Sequence, residues 1–229
     1  MNTRLFSAGT ALCNNVLLIT PDKTEFGMST DLNICLVVAS HRANAQSLRI
    51  AQYMREHFLA GRGSIVDLYD LKLPLWDGDP LPADSDKARQ VEYVKNSLND
   101  ADALVFIIPE WHGMAPAGLK NMLLWCGARE LAHKPVLLVG VSASVGGAFA
   151  IADIRNSGYK NSRLLYLPEH LILRDANDLW VGQEGRMSDT YLADRTRYAL
   201  DLLHTYAAAL KPVRGKLCAG LAEFSNGMS

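Results

Sequence analysis

Two apolar runs, each followed at once by a short polar loop, constrain the fold of this chain most strongly. The runs Leu32–Ala39 and Ala103–Ile108 are unbroken and rich in strand-forming residues, as strands buried on both faces of a parallel sheet are. Segments with helical periodicity separate these runs from the other strand-like runs. Alternation of this kind is the pattern of parallel βαβ units.

The remaining elements follow the same alternation, and together they predict an α/β fold of the flavodoxin-like type. Its sheet would have five parallel strands in the order 2-1-3-4-5, with helices on both faces. Strands are predicted at 32–39, 64–69, 103–108 and 135–141 and within 163–173. Helices are predicted at 47–60, around 91–98, from about 116 to 126, up to about 155, and from a cap at Ser188-Asp189 to 210.

Length and composition favour one domain, which we predict at residues 32–212 of the 229. We expect 1–31 to be an N-terminal extension, of which 1–27 is poorly ordered or precedes a true start at Met28, and 213–229 to be a frayed tail. No apolar stretch reaches the ~18 residues that a membrane span needs. A net charge of -1 gives no reason to expect nucleic acid or an anionic membrane as a partner. The four cysteines lie far apart, which predicts reduced thiols and fits a cytoplasmic location.

The loop after the first strand suits a phosphate group. It precedes a helix N-terminus, where free N–H groups and the helix dipole favour an anion. Ser40 and Ser47 can donate hydroxyl hydrogen bonds, and Asn44 and Gln46 can donate amide ones. Arg42 can add a charged contact. An ordinary polar turn in which Ser47 caps the helix has the same composition, and both interpretations stay open.

The loop after the third strand suits a flat ring. Pro109, Glu110, Trp111, His112 and Gly113 supply an aromatic group, a proton donor and a residue that lets a ring approach the backbone closely. In the alternative interpretation Glu110 and His112 form an ordinary surface pair.

The loop after the fourth strand borders the same crevice and adds Ser142, Ser144 and Gly146 as candidates. Gly146 and Gly147 permit close ligand approach, or simply a tight strand-to-helix turn. The carboxyl ends of adjacent parallel strands meet at one edge of a sheet, where such folds bind ligands. A phosphate loop and a ring loop at that edge together indicate a flavin nucleotide.

Other chemistries lack their sequence patterns. The chain has no G-x-x-x-x-G-K-[ST] phosphate loop, no G-x-G-x-x-G fingerprint and no G-x-S-x-G nucleophile elbow. Its six histidines show no metal-ligand spacing, so no metal site is predicted.

At these loops the sequence resembles the NAD(P)H-dependent FMN reductase family of flavodoxin-like proteins, whose relatives reduce quinones, azo dyes and chromate. The segment 109–121, with Trp125 after it, is similar to the family's P-E-Y-N-G-x-x-P-G-x-L-K-N. Ser40-His-Arg42 is similar to its phosphate loop G-S-x-R-x-x-S, and the segment 73–77 is similar to a recurring one after the second strand. Departures from the family pattern include Ala39, Ala45, Trp111 and His112.

The resemblance implies an enzyme that binds FMN and takes a hydride from NAD(P)H, with NADPH favoured, to reduce a small-molecule acceptor. The FMN phosphate would contact Ser40, Arg42 and Ser47. Residues 109–113 would contact the flavin ring and ribityl chain, largely through their backbone, and residues 142–147 would line the other ring edge. It implies no catalytic side chain, because the cofactor carries the chemistry, and it implies a homodimer or homotetramer. Two alternatives stay open: an electron-carrier flavodoxin, and a flavin-free binding or regulatory module.

Overall fold

The computed structural model describes residues 32–181 and 187–226. In these ranges the strands are β1 (Ile34–Val38), β2 (Ser64–Asp67), β3 (Ala103–Pro109), β4 (Pro135–Val141) and β5 (Leu165–Leu173). The α-helices are α1 (Gln46–Phe58), α2 (Leu68–Leu71), α3 (Asp86–Asp100), α4 (Ala117–Trp125), α5 (Ala128–Leu131), α6 (Ala148–Arg155), α7 (Met187–Leu210) and α8 (Arg214–Cys218). A 3₁₀ turn at Lys211–Val213 joins α7 to α8.

The sheet has the predicted topology. All neighbouring strands are parallel and lie in the order β2-β1-β3-β4-β5. Side chains of β1, β3 and β4 are buried on both faces. One face packs against α1 and α7 through residues such as Ile50 and Leu203. The other face packs against α3, α4 and α6 through residues such as Leu98 and Leu119. The carboxyl ends of all five strands therefore reach one edge of the sheet.

Several predicted boundaries are wrong by a few residues, and local hydrogen bonds explain two of these differences. The second strand ends at Asp67, two residues early, because the Asp67 side chain accepts a hydrogen bond from Tyr69 N (3.0 Å) and caps α2. Helix α7 begins at Met187, so Asp189 lies within its first turn instead of capping it. The Asp189 carboxylate instead accepts a hydrogen bond from Trp180 N (3.3 Å). The first strand begins at Ile34, two residues later than predicted.

The predicted frayed tail contains ordered structure. Helix α8 lies inside it, and Arg214 Nε donates a hydrogen bond to Ala132 O (2.9 Å). Further along, Arg163 donates hydrogen bonds to the carbonyl oxygens of Phe224 and Ser225. The predicted extension, residues 1–31, lies outside the described residues. Within them, no helix is both long enough and apolar enough to cross a bilayer.

Cys35 and Cys126 are buried and unpaired, as the wide spacing of the cysteines predicts. Burial raises the pKa of the Cys35 thiol to about 11 and that of Cys126 to about 12. Both thiols are therefore protonated and unreactive at neutral pH.

Lys134 is completely buried at the start of β4, and its ammonium group caps the end of α3. Its Nζ donates hydrogen bonds to Leu98 O and to Asn99 O, the latter at 2.7 Å. Carbonyl groups in the last turn of a helix lack intrahelical partners, and a cation there interacts favourably with the helix dipole. Burial, together with nearby Arg214, lowers the pKa of Lys134 to about 7 against the opposing effect of Asp102.

This depressed pKa predicts that the contribution of Lys134 to stability rises with pH. Between about pH 7 and pH 9 the unfolded chain keeps the Lys134 proton while the folded chain releases it, so this contribution to the free energy of unfolding increases by up to about 1.4 kcal/mol per pH unit. The Lys134→Met variant should lose this increase. Urea unfolding of both proteins across that pH range measures the two slopes, and equal slopes would contradict the assignment.

Candidate functional site

A cavity of about 400 Å³ opens at the carboxyl edge of the sheet, where the loops after β1, β3, β4 and β5 meet. Nine of the predicted site residues line it: Ser40, Arg42, Asn44, Gln46, Ser47, Pro109, Glu110, Trp111 and Ser142. Four others are not among its lining residues: His112, Gly113, Ser144 and Gly146. Ala176 and Asn177, on the loop after β5, also line it. Sequence analysis missed both, although the carboxyl end of a fifth parallel strand had to reach the same edge.

The N-terminus of α1 lies in this cavity without a side-chain cap. The N-cap residue is Ala45, which has no polar side chain. Ser47 does not cap the helix, so the simple polar-turn interpretation is wrong on this point. Its hydroxyl is buried, and no group of the described residues hydrogen-bonds to it. A buried polar atom without a partner is unfavourable and rare, so the Ser47 hydroxyl keeps its full capacity to hydrogen-bond a ligand oxygen.

Ser40 and Asn44 fix the shape of the rest of this loop. Ser40 is fully buried, and its Oγ accepts a hydrogen bond from Arg42 N (3.2 Å). Asn44 has a φ of 52°, a left-handed conformation that Asn tolerates better than most residues. These features shape a tight turn around the end of β1.

Arg49 joins the first loop to the loop after β5. Its Nε donates a hydrogen bond to Gln46 Oε1 (2.7 Å), and its Nη2 donates one to Ala176 O (2.6 Å). The hydrogen bond from Arg49 fixes the position of the Gln46 oxygen, and the NH₂ group of the same amide can donate to a ligand. Partial burial lowers the pKa of Arg49.

The loop after β3 presents Trp111 next to the phosphate loop. The guanidinium of Arg42 lies 5.8 Å from the centre of the Trp111 ring. Trp111 and Met114 close a tight turn through two backbone hydrogen bonds of 3.1 and 2.9 Å. His112 and Gly113 form the exposed tip of this turn, with φ values of 50° and 70°. An aromatic side chain and an anion-binding loop therefore share one wall of the cavity.

The Glu110 side chain accepts hydrogen bonds from the backbone at the start of α6, a role that neither the ring-loop nor the surface-pair interpretation of the sequence predicted. Its Oε2 accepts hydrogen bonds from the N–H groups of Gly147 (2.9 Å), Phe149 (2.8 Å) and Ala150 (3.1 Å). Glu110 therefore caps α6 from a neighbouring loop. Gly146 packs against it, since a Cβ at that position would lie 2.7 Å from Glu110 Oε1. Gly147, with a φ of 106°, makes the tight turn into α6.

The last residues of the 109–121 segment lie in α4 and join it to α6 and to the segment that carries Pro74. Lys120 Nζ contacts Asp153 Oδ1 (2.7 Å), which holds the pKa of that carboxyl below its usual range. Asn121 Nδ2 and Trp125 Nε1 each donate a hydrogen bond to Pro74 O at 2.8 Å. The segments 73–77 and 109–125 each resemble the family, and these hydrogen bonds connect them in the structure. The recurring Lys, Asn and Trp have a positioning role here.

The donor set of the cavity fits FMN. It offers an unpartnered buried hydroxyl, an uncapped helix N-terminus and an arginine, which together suit a phosphate, with an aromatic ring next to them. No cluster of three or more potential metal ligands occurs among the described residues.

Comparison with known proteins decides the family. The sequence profile of the NADPH-dependent FMN reductases matches residues 32–178, which include every loop of the cavity. The chain belongs to this family. It is therefore an NAD(P)H-dependent oxidoreductase, with FMN and NAD(P)H as the cofactors of its class.

Individual proteins are also similar to this chain over most of their length. An NADPH azoreductase from Bacillus sp. (strain OY1-2) is 23% identical, over 81% of this chain and 98% of its own length. A 2-hydroxy-1,4-benzoquinone reductase from Burkholderia sp. is 28% identical, over 80% of this chain and 98% of its own. The flavoenzyme FerB from Paracoccus denitrificans, an NAD(P)H:(acceptor) oxidoreductase, has the same fold. It superimposes with a TM-score of 0.63 at 22% identity, over 78% of this chain and 98% of its own.

Proposed function

We propose that this protein binds FMN in the cavity at the sheet edge and uses NAD(P)H to reduce a small acceptor, such as a quinone or an azo compound. With a quinone, NAD(P)H gives up a hydride and the solvent gives one proton, so NAD(P)⁺ and a hydroquinone are formed. The names of the azoreductase and quinone-reductase relatives support this class of acceptor.

The observation that carries the proposal is the unpartnered, buried Ser47 hydroxyl at the uncapped start of α1. We assign the phosphate of FMN to this point, with Ser40, Arg42 and the NH₂ group of Gln46 as further contacts. Trp111 and the Ser142 loop are then placed along the ring. Bound FMN supplies the redox chemistry, and the chain supplies binding and orientation, so we assign no side chain a catalytic role.

Reconstitution with FMN followed by anaerobic titration with NADPH tests the proposal. We expect an absorption band near about 450 nm, typical of oxidised flavin, that bleaches as NADPH is added. A band that persists would indicate an electron carrier instead of a reductase. No band would indicate a flavin-free module and would overturn the proposal.

The Ser47→Ala variant should separate a ligand-binding role of this hydroxyl from a structural role. Without FMN the variant should be as stable as the wild type or slightly more stable, because it loses an unsatisfied buried polar group. With FMN it should bind about tenfold more weakly, because a hydrogen bond to a charged group contributes about 1.5 kcal/mol. Thermal unfolding and fluorescence titration measure the two effects, and a loss of stability without FMN would contradict the assignment.

The homodimer or homotetramer and the cytoplasmic location implied by the sequence stay predictions.

A further inference from the structure

A second cavity, of about 270 Å³, opens next to the proposed flavin cavity. Its walls come from the loop after β1, from α2 and the segment that follows it, and from the first turn of α4. They include His41, Leu68, Lys72, Leu73, Leu75 and Ala117. The lining is mainly apolar, and Leu75 keeps 80% of its surface exposed.

One pair of aromatic side chains separates the two cavities. The His41 ring lines the second cavity, and Trp111 lines the first. Their ring centres lie 4.9 Å apart in an edge-to-face arrangement. The His41 ring lies next to Gly118 of α4, and a Cβ at that position would be in ordinary van der Waals contact with His41 Nδ1 (3.4 Å). The two cavities therefore lie on either side of this pair of rings.

The leucine wall of the second cavity is held in place. Asn121 Oδ1 accepts a hydrogen bond from Trp76 N (2.8 Å), while its Nδ2 donates to Pro74 O (2.8 Å). These two bonds hold the segment that carries Leu73 and Leu75. They also engage both ends of the Asn121 amide. His41 and Lys72 are the other polar side chains that line this cavity.

The charge in this cavity favours an anion. Among the described residues that line it, none is acidic and Lys72 is basic. Lys72 has a φ of 44° at the end of α2, a conformation disfavoured for a residue with a side chain. The first turn of α4 adds the partial positive charge of a helix N-terminus on the same side.

We propose that this second cavity binds the anionic end of an aromatic electron acceptor, such as a sulfonated or carboxylated quinone or azo compound. The leucines would contact its apolar body and Lys72 its negative group, while its reducible part reaches the first cavity. The identification as an acceptor site rests on the proposed function. The binding of an aromatic anion does not.

A binding experiment without redox chemistry tests the cavity directly. Naphthalene-2-sulfonate is titrated by calorimetry into the wild type, Lys72→Met and the control Lys87→Met, whose substitution lies on the exposed side of α3. We expect Lys72→Met to weaken binding about tenfold, because a charged hydrogen bond is lost, and Lys87→Met to leave it unchanged. Equal binding by the wild type and Lys72→Met, or no binding by the wild type, would overturn the proposal.

Acceptor kinetics then test its role in turnover. With NADPH and FMN-loaded protein, Lys72→Met should raise the KM for 1,2-naphthoquinone-4-sulfonate about tenfold and change the KM for uncharged 1,4-naphthoquinone far less. An equal effect on both quinones would overturn the acceptor role. If the wild type takes up no FMN, the proposed function fails, but naphthalene-2-sulfonate binding still decides whether the cavity is an anion site.

Discussion

The Ala45→Asp variant should be more stable than the wild type and yet fail to bind FMN. Ala45 is the N-cap residue of α1, with φ -71° and ψ 139°, and it makes no side-chain hydrogen bond. Asp is among the best residues for this position, and the change from Ala typically adds about 1 kcal/mol of stability. The same carboxylate would lie where we place the FMN phosphate. Two unit charges about 4 Å apart near a protein surface repel by about 4 kcal/mol, so FMN affinity should fall at least about 100-fold.

Two controls make this result specific. Riboflavin has no phosphate, so its affinity should be nearly the same for the wild type and for Ala45→Asp. The Ala45→Ser variant restores the family residue, and it should gain the cap without losing FMN. Fluorescence titrations with both flavins and chemical unfolding without ligand supply the measurements. If Ala45→Asp binds FMN like the wild type, the phosphate does not lie at the start of α1.

Sequence alone predicted the sheet and the first loop well because both depend on local patterns. Continuous apolar runs such as 103–108 identify buried parallel strands, and the topology then brings their carboxyl ends together. Ser40, Arg42 and Ser47 follow directly in the sequence after β1, so their place in the cavity needs no knowledge of distant contacts. Even here the pattern left open whether Ser47 caps the helix, and only its buried, unpartnered hydroxyl decides the question.

The missed features depend on contacts between distant parts of the chain. Asn121 is hydrogen-bonded to Pro74, 47 residues earlier in the sequence. Glu110 reaches N–H groups 37 to 40 residues further along. No periodicity or local spacing encodes such pairs. The resemblance to the family identified Asn121 and Glu110 as recurring and implied that residues 109–113 contact the flavin largely through their backbone. It did not indicate that the Glu110 side chain caps α6.

The Glu110→Ala variant should therefore lose stability, and it should lose flavin affinity in a manner different from Ala45→Asp. Three N–H groups at the start of α6 would lose their charged acceptor. Water can replace part of this interaction, so we expect the free energy of unfolding to fall by about 2 to 3 kcal/mol. Glu110→Gln keeps one neutral acceptor oxygen and should lose less. Glu92→Ala, on the exposed side of α3, should change little.

The effect of Glu110→Ala on flavin binding depends on the loop that Glu110 holds, which is the loop before α6. It fixes the turn at Gly147, whereas the phosphate loop is held by other contacts. The 142–147 loop includes Ser142 and Ala143, which line the cavity. Loosening that loop should weaken FMN and riboflavin to the same extent, whereas Ala45→Asp should weaken FMN alone. If Glu110→Ala weakens FMN much more than riboflavin, Glu110 acts on the phosphate and not through the loop that it caps.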